Sequence, residues 1–383
     1  MTIDNKNDLD NVSPFFEIKQ TSWGGRACFS KCALPAGTPI LEINNCIGSS
    51  LSYEFRKEVC HFCYFYHNGH TLKYRLEKEH LKFMENCNDK ENGEGKKSTR
   101  MNNKAKFQGA GLWFCSELCR SKFIKQPHIW ELVQCYEILW CNLQKMFKRE
   151  NPDDVTGREE QLNSIIITED VIQRSWDDCQ HNWIPRIDKM SAAKKLHNLP
   201  VISEDEYCCA KFVCESLFRL KYIDSDSITK KCFNGLQSNE LSKIHEFPVL
   251  LHFQELVFKT LYILLPDYLR TQLTIENFRH IVGSEYGNAF GIWETGETPE
   301  SREWFGFEVL PEASYFNHSC KPNITKTREG RTMEFTLNSN VAKGTEICID
   351  YSGVLDLPTK KRRKFLHDTW FFDCLCVRCK SEM

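Results

Sequence analysis

Closely spaced cysteines constrain this chain more than any other feature of its sequence. Cys374, Cys376 and Cys379 lie together in the tail sequence FFDCLCVRCK. Three thiolates so close can occupy three corners of a tetrahedral Zn²⁺ site, and the metal then needs a fourth ligand from elsewhere in the chain. The alternative, that the three thiols are small apolar filler, is disfavoured by the compact C-x-C spacing.

A second set of cysteines consists of two pairs that stand far apart along the chain. Cys60 and Cys63 lie in CHFC, whereas Cys115 and Cys119 lie in FCSELC. The polar tract at 88–106 has almost no apolar residues, so we expect a flexible loop there. This loop adds little to the cost of joining the pairs, because closure entropy grows only logarithmically with length. We predict a four-sulfur zinc site, hence about two zincs per chain; the alternative is thiols buried singly.

Other histidines and cysteines near the second set lack the paired spacing that is typical of metal ligands. The sequence therefore leaves open whether these residues bind a second metal, but we favour the interpretation that they are ordinary core or surface side chains. These residues are His61, His67, His70, His80, Cys87, His128 and Cys135.

The composition is that of a soluble globular chain and narrows its class of partner. A net charge of −2 over 383 residues gives no general attraction to nucleic acid. No window reaches about 18 uninterrupted apolar residues, so we predict no membrane span. The amino terminus is polar and acidic without a hydrophobic h-region, so we expect the cytoplasm, the nucleus or both. The basic run KKRRK at 360–364 is either a nuclear import signal or, as we favour, a solvated helix face.

The periodicity of apolar residues predicts strands at both ends of the chain and helices between them. The predicted strands are two runs within 15–43, MEFTL at 333–337 and EICIDY at 346–351. The predicted helices cover 129–147, 203–222, 247–269 and 360–370. A capping box of Ser203 and Glu206 marks the start of the second helix. The pattern indicates an α+β chain in which strands flank zinc-binding and helical material.

The sequence NHSCKPN, Asn317 to Asn323, holds an amide, an imidazole and a thiol within seven residues. The strand EICIDY that follows ends in Tyr351. Asn317, His318 and Tyr351 could therefore converge on one pocket, although a tyrosine at a strand end is more often a packed core residue. Whether Cys320 belongs with these residues or with distant ones stays open at this point.

Three segments follow one another in an order that resembles the SET domain of protein-lysine methyltransferases: GFEVLPEASYFNHSCKPN, KGTEICIDYSG and CLCVRC. WGGRACFSKCALPAGTPIL is similar to the first SET segment, whose G-x-G turn approaches the methyl donor. Here the turn is Gly25-Arg26-Ala27, and we expect Ala27 to crowd that approach. The cysteine-rich segment and the helices between the two SET halves resemble the SMYD group of SET and MYND proteins. The chain is most similar to short fungal members without a C-terminal helical repeat domain.

The resemblance implies an α+β fold, with a SET-type β-fold of small sheets and a knot-like threaded carboxyl-terminal segment. A degenerate MYND-like zinc finger and a helical insertion interrupt this fold, and a post-SET zinc tail closes it. The implied parts are a disordered tail at 1–13, an N-terminal SET segment at 14–59, the finger at 60–135 with its flexible loop at 88–106, the helical insertion at 136–282, the SET core at 283–353 and the zinc tail at 354–383.

The resemblance also implies a reaction. Members of the family transfer a methyl group from S-adenosylmethionine to a lysine amine, so the implied substrate is a protein with an accessible lysine. Tyr351 matches the active-site tyrosine that orients the amine and the methyl group. The residues that match the cofactor site are Gly25, Arg26, Asn288, Asn317 and His318. Cys320 matches the fourth ligand of the tail zinc site.

A SET-fold scaffold with little or no activity, which binds a protein partner through its finger and groove, is the alternative function. Tyr351, Asn317 and His318 favour the enzyme, whereas Ala27 favours the scaffold. We expect a monomer that binds neither membranes nor nucleic acid directly. Four aromatic residues near the motifs either line a lysine channel or pack in the core: Tyr315, Phe316, Phe335 and Trp370.

Overall fold

Strands from both ends of the chain form the sheets of the computed structural model. It describes residues 9, 11–23, 25–81, 107–146, 166–296, 302–351 and 353–383. The loop expected at 88–106, and residues 1–8 and 10 of the expected tail, lie outside the described residues. Ser13, which also belongs to that expected tail, is buried and donates a hydrogen bond of 2.8 Å to the Ile40 carbonyl. The ordered chain therefore includes residues before 14.

Twelve strands in the described residues form four small sheets. They are β1 (Phe16–Gln20), β2 (Arg26–Ser30), β3 (Pro39–Ile43), β4 (Gly48–Leu51), β5 (Tyr74–Arg75), β6 (Trp113–Phe114), β7 (Ala289–Trp293), β8 (Trp304–Val309), β9 (Asn317–His318), β10 (Ile324–Glu329), β11 (Thr332–Leu337) and β12 (Glu346–Ile349). The sheet orders are β1-β2-β12-β9, β10-β11-β3, β4-β8-β7 and β5-β6. The prediction of a mixed fold with small sheets is confirmed.

Strands that lie far apart in the sequence pair within these sheets. β2 pairs antiparallel with β12, where Cys28 faces Ile347, and β3 pairs antiparallel with β11. β9 lies parallel to β12, so Asn317 faces Cys348. The segment between β4 and β7 is thus an insertion between two parts of one β-fold.

Helices fill most of this insertion and begin the tail. In the described residues they are α1 (Glu117–Ile124), α2 (Ile129–Met146), α3 (Glu169–Asp178), α4 (Ile184–Asp188), α5 (Ala192–His197), α6 (Glu204–Tyr222), α7 (Ile228–Asn234), α8 (Glu240–Glu246), α9 (Val249–Leu264), α10 (Asp267–Arg270), α11 (Ile275–Asn288), α12 (Thr359–Trp370) and α13 (Val377–Ser381). A 3-10 turn covers Glu54–Lys57 and a π-helical turn covers Cys179–Trp183. No helix in the described part of the chain has the length and apolarity to cross a membrane.

The α6 helix fastens the insertion to the sheets. The Ser203 hydroxyl accepts the Glu206 N–H at 3.2 Å, and the Glu206 carboxylate accepts the Ser203 N–H at 2.7 Å, so the predicted capping box is confirmed. Further along α6, the Glu215 carboxylate accepts hydrogen bonds from the backbone and hydroxyl of Ser49 in β4. Because this carboxylate is buried, its charge-assisted hydrogen bonds hold the helix firmly against the strand.

The basic run at 360–364 lies in α12, and the structure divides it into two kinds of side chain. Its three lysines are exposed, whereas Arg362 is only 1% exposed. The expectation of a solvated face is therefore wrong at Arg362. Its guanidinium is buried because it donates hydrogen bonds of 2.6 Å to the Leu357 carbonyl and to the Glu382 carboxylate.

Candidate functional site

Four thiols from two distant segments meet at the end of β9: Cys320, Cys374, Cys376 and Cys379, all within 4.8 Å of one another. The Cys320 Sγ lies 3.8 Å from the Cys374 Sγ and 3.5 Å from the Cys379 Sγ. Zinc–sulfur bonds of about 2.3 Å at tetrahedral angles separate two ligand sulfurs by about 3.8 Å. The thiols therefore have the spacing of a closed zinc site, and Cys320 stands in the fourth position.

A second group of four thiols lies within the same 4.8 Å limit: Cys60, Cys63, Cys115 and Cys119. Two local turns position it. The Tyr64 N–H donates to the Cys60 carbonyl at 2.9 Å, with Tyr64 in the left-handed region at φ 60°. The Ser116 hydroxyl caps α1 by accepting the Cys119 N–H at 3.1 Å. Within the described residues these two groups are the only clusters of this kind, and Cys87 lies outside those residues.

Arg331, in the hairpin between β10 and β11, ties the second thiol group to the sheets. Its guanidinium donates to the carbonyls of His61 at 2.9 Å and Phe62 at 2.7 Å. Both carbonyls belong to the turn that carries Cys60 and Cys63. Sequence reasoning missed Arg331, because an arginine after a hairpin glycine has the composition of an ordinary exposed turn.

Two arginines surround the tail thiols. Arg362 lies 3.9 Å from the Cys379 Sγ through its Nη2. Arg378 donates to the carbonyls of Cys320 at 3.2 Å and Leu355 at 2.8 Å. Four thiolates around one Zn²⁺ carry a net charge of −2, and nearby guanidinium groups stabilise thiolates. Sequence reasoning missed both contacts, because basic residues in a polar helix are usually solvated.

The His318 ring joins the tail thiols to Tyr351. Its Nδ1 accepts the Tyr351 backbone N–H at 3.2 Å, and its Nε2 lies 3.3 Å from the Cys320 Sγ. Burial lowers the pKa of His318 to about 4, against the opposing effect of Asp350, whose carboxylate is 3.7 Å from Nδ1. The ring is therefore neutral at pH 7, and acceptance at Nδ1 places its proton on Nε2, facing the sulfur. The side chain is fully buried, so a cofactor contact through its backbone remains a prediction.

The Tyr351 side chain is held by one hydrogen bond and by surrounding rings. Its hydroxyl donates to the Phe316 carbonyl at 3.0 Å. Its ring centroid lies 5.7 Å from Trp370 and 6.2 Å from Phe372. Burial raises the pKa of Tyr351 well above its usual value, so the hydroxyl stays protonated at neutral pH. A protonated hydroxyl that donates to a carbonyl keeps its oxygen lone pairs as hydrogen-bond acceptors.

A wall of phenylalanine rings continues from Tyr351. The Phe316 ring lies 5.2 Å from Phe335, and Phe335 lies 6.1 Å from Phe290. Phe316 and Phe335 are buried at 1% exposure or less, which favours the core interpretation at these two positions, whereas Phe290 is 8% exposed. Sequence reasoning missed Phe290, because one aromatic residue in a short strand carries no distinguishing signal.

Two of the residues predicted to bind the cofactor, Gly25 and Asn288, lie close to a third residue, Gln237. Gly25 adopts φ 75° beside Gln237, and a Cβ there would meet only the Gln237 Oε1, at 3.5 Å. The Asn288 amide donates to the Gln237 carbonyl at 3.1 Å, and the Ser314 hydroxyl donates to the Asn288 carbonyl at 3.4 Å. The structure thus brings Gly25 and Asn288 together through Gln237, next to the segment that leads to Asn317.

Asn317 and Arg26 are held by groups from other elements. The Asn317 amide donates to the Glu346 carboxylate at 3.1 Å. The Arg26 guanidinium donates to the Gly235 carbonyl and lies over the Tyr315 ring, 5.2 Å from its centroid. These contacts hold both side chains in place.

Ala27 does not occupy a turn. It lies inside β2 opposite Lys19 and is fully buried, and it is not among the described residues with positive φ. An extended backbone accepts an alanine without strain. The strain expected of an alanine at this position is therefore absent, because the chain has already entered the strand at Arg26.

Comparisons with known proteins extend over the whole chain. The SET-domain family profile matches residues 25–352. A potential protein lysine methyltransferase of Saccharomyces cerevisiae, SET6, is 57% identical over 383 residues, which is 100% of this chain and 99% of the relative. A SET and MYND domain-containing protein of Dictyostelium discoideum is 37% identical over 107 residues, 28% of this chain and 26% of that protein. Human N-lysine methyltransferase SMYD2 is 31% identical over 83 residues, 22% of this chain and 19% of that protein.

Proposed function

The chain belongs to the SET-domain family, and on that premise we propose that it is a protein-lysine N-methyltransferase that uses S-adenosylmethionine. The observation that carries the proposal is the position of Tyr351, whose hydroxyl donates to the Phe316 carbonyl while its backbone N–H donates to the His318 ring. The relative that matches the full length is named only as a potential protein lysine methyltransferase. The alternative is a SET-fold scaffold with little or no activity, although Ala27, the residue that favoured it, lies in a strand without strain.

The described residues fit such a cofactor. The space above the Gly25 turn is open apart from the flexible end of Gln237, which is itself exposed. Asn288, which bonds to Gln237, and Asn317 offer half-buried amides, and the half-buried Phe372 ring offers an apolar face. We propose that Gly25, Arg26, Asn288, Asn317 and the His318 backbone hold S-adenosylmethionine. When bound, this cofactor supplies an electrophilic methyl group.

The substrate lysine must lose its proton before it can accept a methyl group. An exposed lysine has a pKa near 10.4, so at pH 7.4 about one amine in a thousand is neutral, a handicap of about 4 kcal/mol. The Phe290 ring, the least buried of the three in the aromatic wall, disfavours an ammonium ion beside it by desolvation. The Tyr351 oxygen can accept a hydrogen bond from the amine and so orient its lone pair.

We also propose that Zn²⁺ occupies both thiol groups. Each group supplies four sulfurs and no open position, which is the composition of a structural rather than a catalytic site. The tail site would hold Cys320, and through it His318 and Tyr351, in register. Metal analysis should return about two zincs per chain; three would reveal a second site in the finger.

Other parts of the prediction remain proposals of the same kind. They are a threaded carboxyl-terminal segment, a degenerate MYND-like finger that can bind a protein partner, a monomeric state, and a location in the cytoplasm or nucleus. A protein substrate follows from the proposed reaction, whereas its identity and the number of methyl groups added do not.

Calorimetry with zinc-replete full-length protein tests the proposal. We expect S-adenosylmethionine to bind, and we expect Asn317→Ala to abolish or strongly weaken the binding. Transfer of labelled methyl groups to the proteins of a cell extract then tests turnover. Binding without any transfer would favour the scaffold, and no binding at all would overturn the proposed enzyme.

A further inference from the structure

Lys326 occupies a position in β10 that a half-buried strand normally gives to an apolar residue. Side chains along β10 alternate: Thr325 and Thr327 are exposed, whereas Ile324 is buried and Lys326 is half-buried. Lys326 stands directly opposite Phe335 of β11 in the antiparallel register. Opposite residues in such a pair project from the same face of the sheet. Lys326 therefore shares a face with Phe335 of the aromatic wall.

The Lys326 amine lies against Phe290, the least buried ring of that wall. Its Nζ is 5.8 Å from the centroid of the Phe290 ring. The wall leads from Phe290 through Phe335 to Phe316, whose carbonyl accepts the Tyr351 hydroxyl. The chain thus places one of its own lysines beside the ring that we propose for the substrate lysine.

The surroundings make this amine a better nucleophile than an exposed lysine. Burial lowers the pKa of Lys326 to about 8, and Arg302 and Arg328 act in the same direction, while Asp350 opposes them. In turn, the charge of the Lys326 amine lowers the pKa of His318. With such a pKa, about one amine in five is neutral at pH 7.4, compared with about one in a thousand for an exposed lysine.

The contact that holds the amine is weak enough to be exchanged. A cation–π contact of this kind contributes about 0.5–2 kcal/mol. The four methylene groups of a lysine let its amine move around the Phe290 ring without any movement of the strand.

We propose that Lys326 is a methyl acceptor of this chain's own activity, modified in cis. The inference rests on the proposed function. The neutral amine donates its lone pair to the methyl carbon, so a C–N bond forms as the C–S bond breaks. The electron pair of the C–S bond stays on sulfur and gives S-adenosylhomocysteine, and the methylated amine releases its proton to solvent. A methylated Lys326 keeps its charge but is bulkier, so it narrows the entrance to the wall.

The first experiment measures methyl incorporation. Zinc-replete full-length protein is incubated with S-adenosylmethionine that carries a deuterated methyl group, and its peptides are analysed by mass spectrometry. We expect the label at Lys326, with a rate constant that does not change when the protein is diluted tenfold. Lys326→Arg should lose the label at this peptide, and Lys343→Arg, a change at an exposed turn, should keep it.

The second experiment needs no turnover. An acylating reagent is applied over a range of pH without cofactor, and the modification of Lys326 is compared with that of Lys343. We expect half-maximal reactivity of Lys326 near pH 8, and at least fivefold protection when S-adenosylhomocysteine is bound. Reactivity that matches Lys343 and ignores the nucleoside would place the amine away from the site and overturn the proposal.

The outcomes separate this inference from the proposed function. If S-adenosylmethionine binds and extract proteins are methylated while Lys326 stays unlabelled, Lys326 is not an acceptor although the enzyme is real. If labelling slows in proportion to dilution, transfer occurs between chains and the cis proposal is wrong. If the cofactor does not bind, both proposals fail together.

Discussion

Tyr351→Phe isolates a single hydroxyl from the rest of the candidate site. The ring and its packing against Trp370 and Phe372 are retained, so the substitution opens no cavity. The hydrogen bond to the Phe316 carbonyl is lost, which lowers the free energy of unfolding by about 1 kcal/mol. In the proposed reaction, the hydroxyl also supplies the acceptor that orients the amine. Loss of one such positioned group typically lowers kcat by about 10²–10³-fold, equivalent to about 3–4 kcal/mol.

Three measurements separate these effects. Urea denaturation should show the small loss of stability, calorimetry should show unchanged binding of S-adenosylmethionine, and single-turnover methyl transfer should fall by at least 10²-fold. Because burial raises the pKa of Tyr351, wild-type turnover should show no inflection from this group across neutral pH. Tyr268→Phe is the matched control, since its hydroxyl donates at 3.0 Å to Gln134, within the helical insertion. Turnover within tenfold of wild type in Tyr351→Phe would refute the assigned role.

Three further predictions concern metal, packing and pH. Cys320→Ser should reduce zinc from about two to about one per chain and should weaken cofactor binding, because His318 contacts this thiol. The control is Cys32→Ser, a change at an exposed cysteine. Full cofactor affinity after zinc loss would show that cofactor binding does not depend on the tail zinc site. Arg331→Met leaves the His61 and Phe62 carbonyls without their hydrogen-bond donor. It should therefore lower the free energy of unfolding by about 3 kcal/mol and let a chelator remove zinc from the finger faster. An unchanged free energy of unfolding would contradict this prediction. Burial raises the pKa of Glu285 from 4.5 to about 7, so the folded state binds more protons than the unfolded state between these values and stability falls as pH rises through them. Glu285→Gln should therefore be neutral at pH 4 and stabilising by about 2–3 kcal/mol at pH 8 in urea denaturation, and an equal effect at both pH values would contradict it.

Features with a local chemical signal were predictable from the sequence. The capping box at Ser203 and Glu206 needs only four residues, and the structure forms it. The predicted helix at 360–370 appears as α12, and MEFTL appears within β11. Cys320 was the harder case, because its partners lie more than 50 residues away. The order of the family's motifs, rather than local spacing, assigns Cys320 to the tail zinc site.

Long charged side chains with partners elsewhere in the fold were not predictable. Arg331, Arg362 and Lys326 stand in polar stretches that look alike whether the side chain is solvated or buried. Each of these side chains leaves the solvent because a carbonyl, a carboxylate or an aromatic ring of another element contacts it. His318 is a further example. The NHSCKPN motif predicts a functional histidine, but only the tertiary structure shows that its ring lies between the Tyr351 backbone N–H and the Cys320 thiol. Ala27 was misplaced because strand pairing, not glycine content, decides where β2 begins.

The pairing of β2 with β12 has a consequence for how the protein is made. The Ser30 hydroxyl finds its acceptor, the Ala342 carbonyl, 312 residues further along the chain. A ribosome that adds about 5–20 residues per second needs about 15–60 s to cover that distance. During this interval β1 and β2 can form only a hairpin with an unpaired edge, which is a template for wrong pairing. We expect the nascent amino-terminal segment to need a chaperone or the early-folding helices as cover until the last strand leaves the exit tunnel.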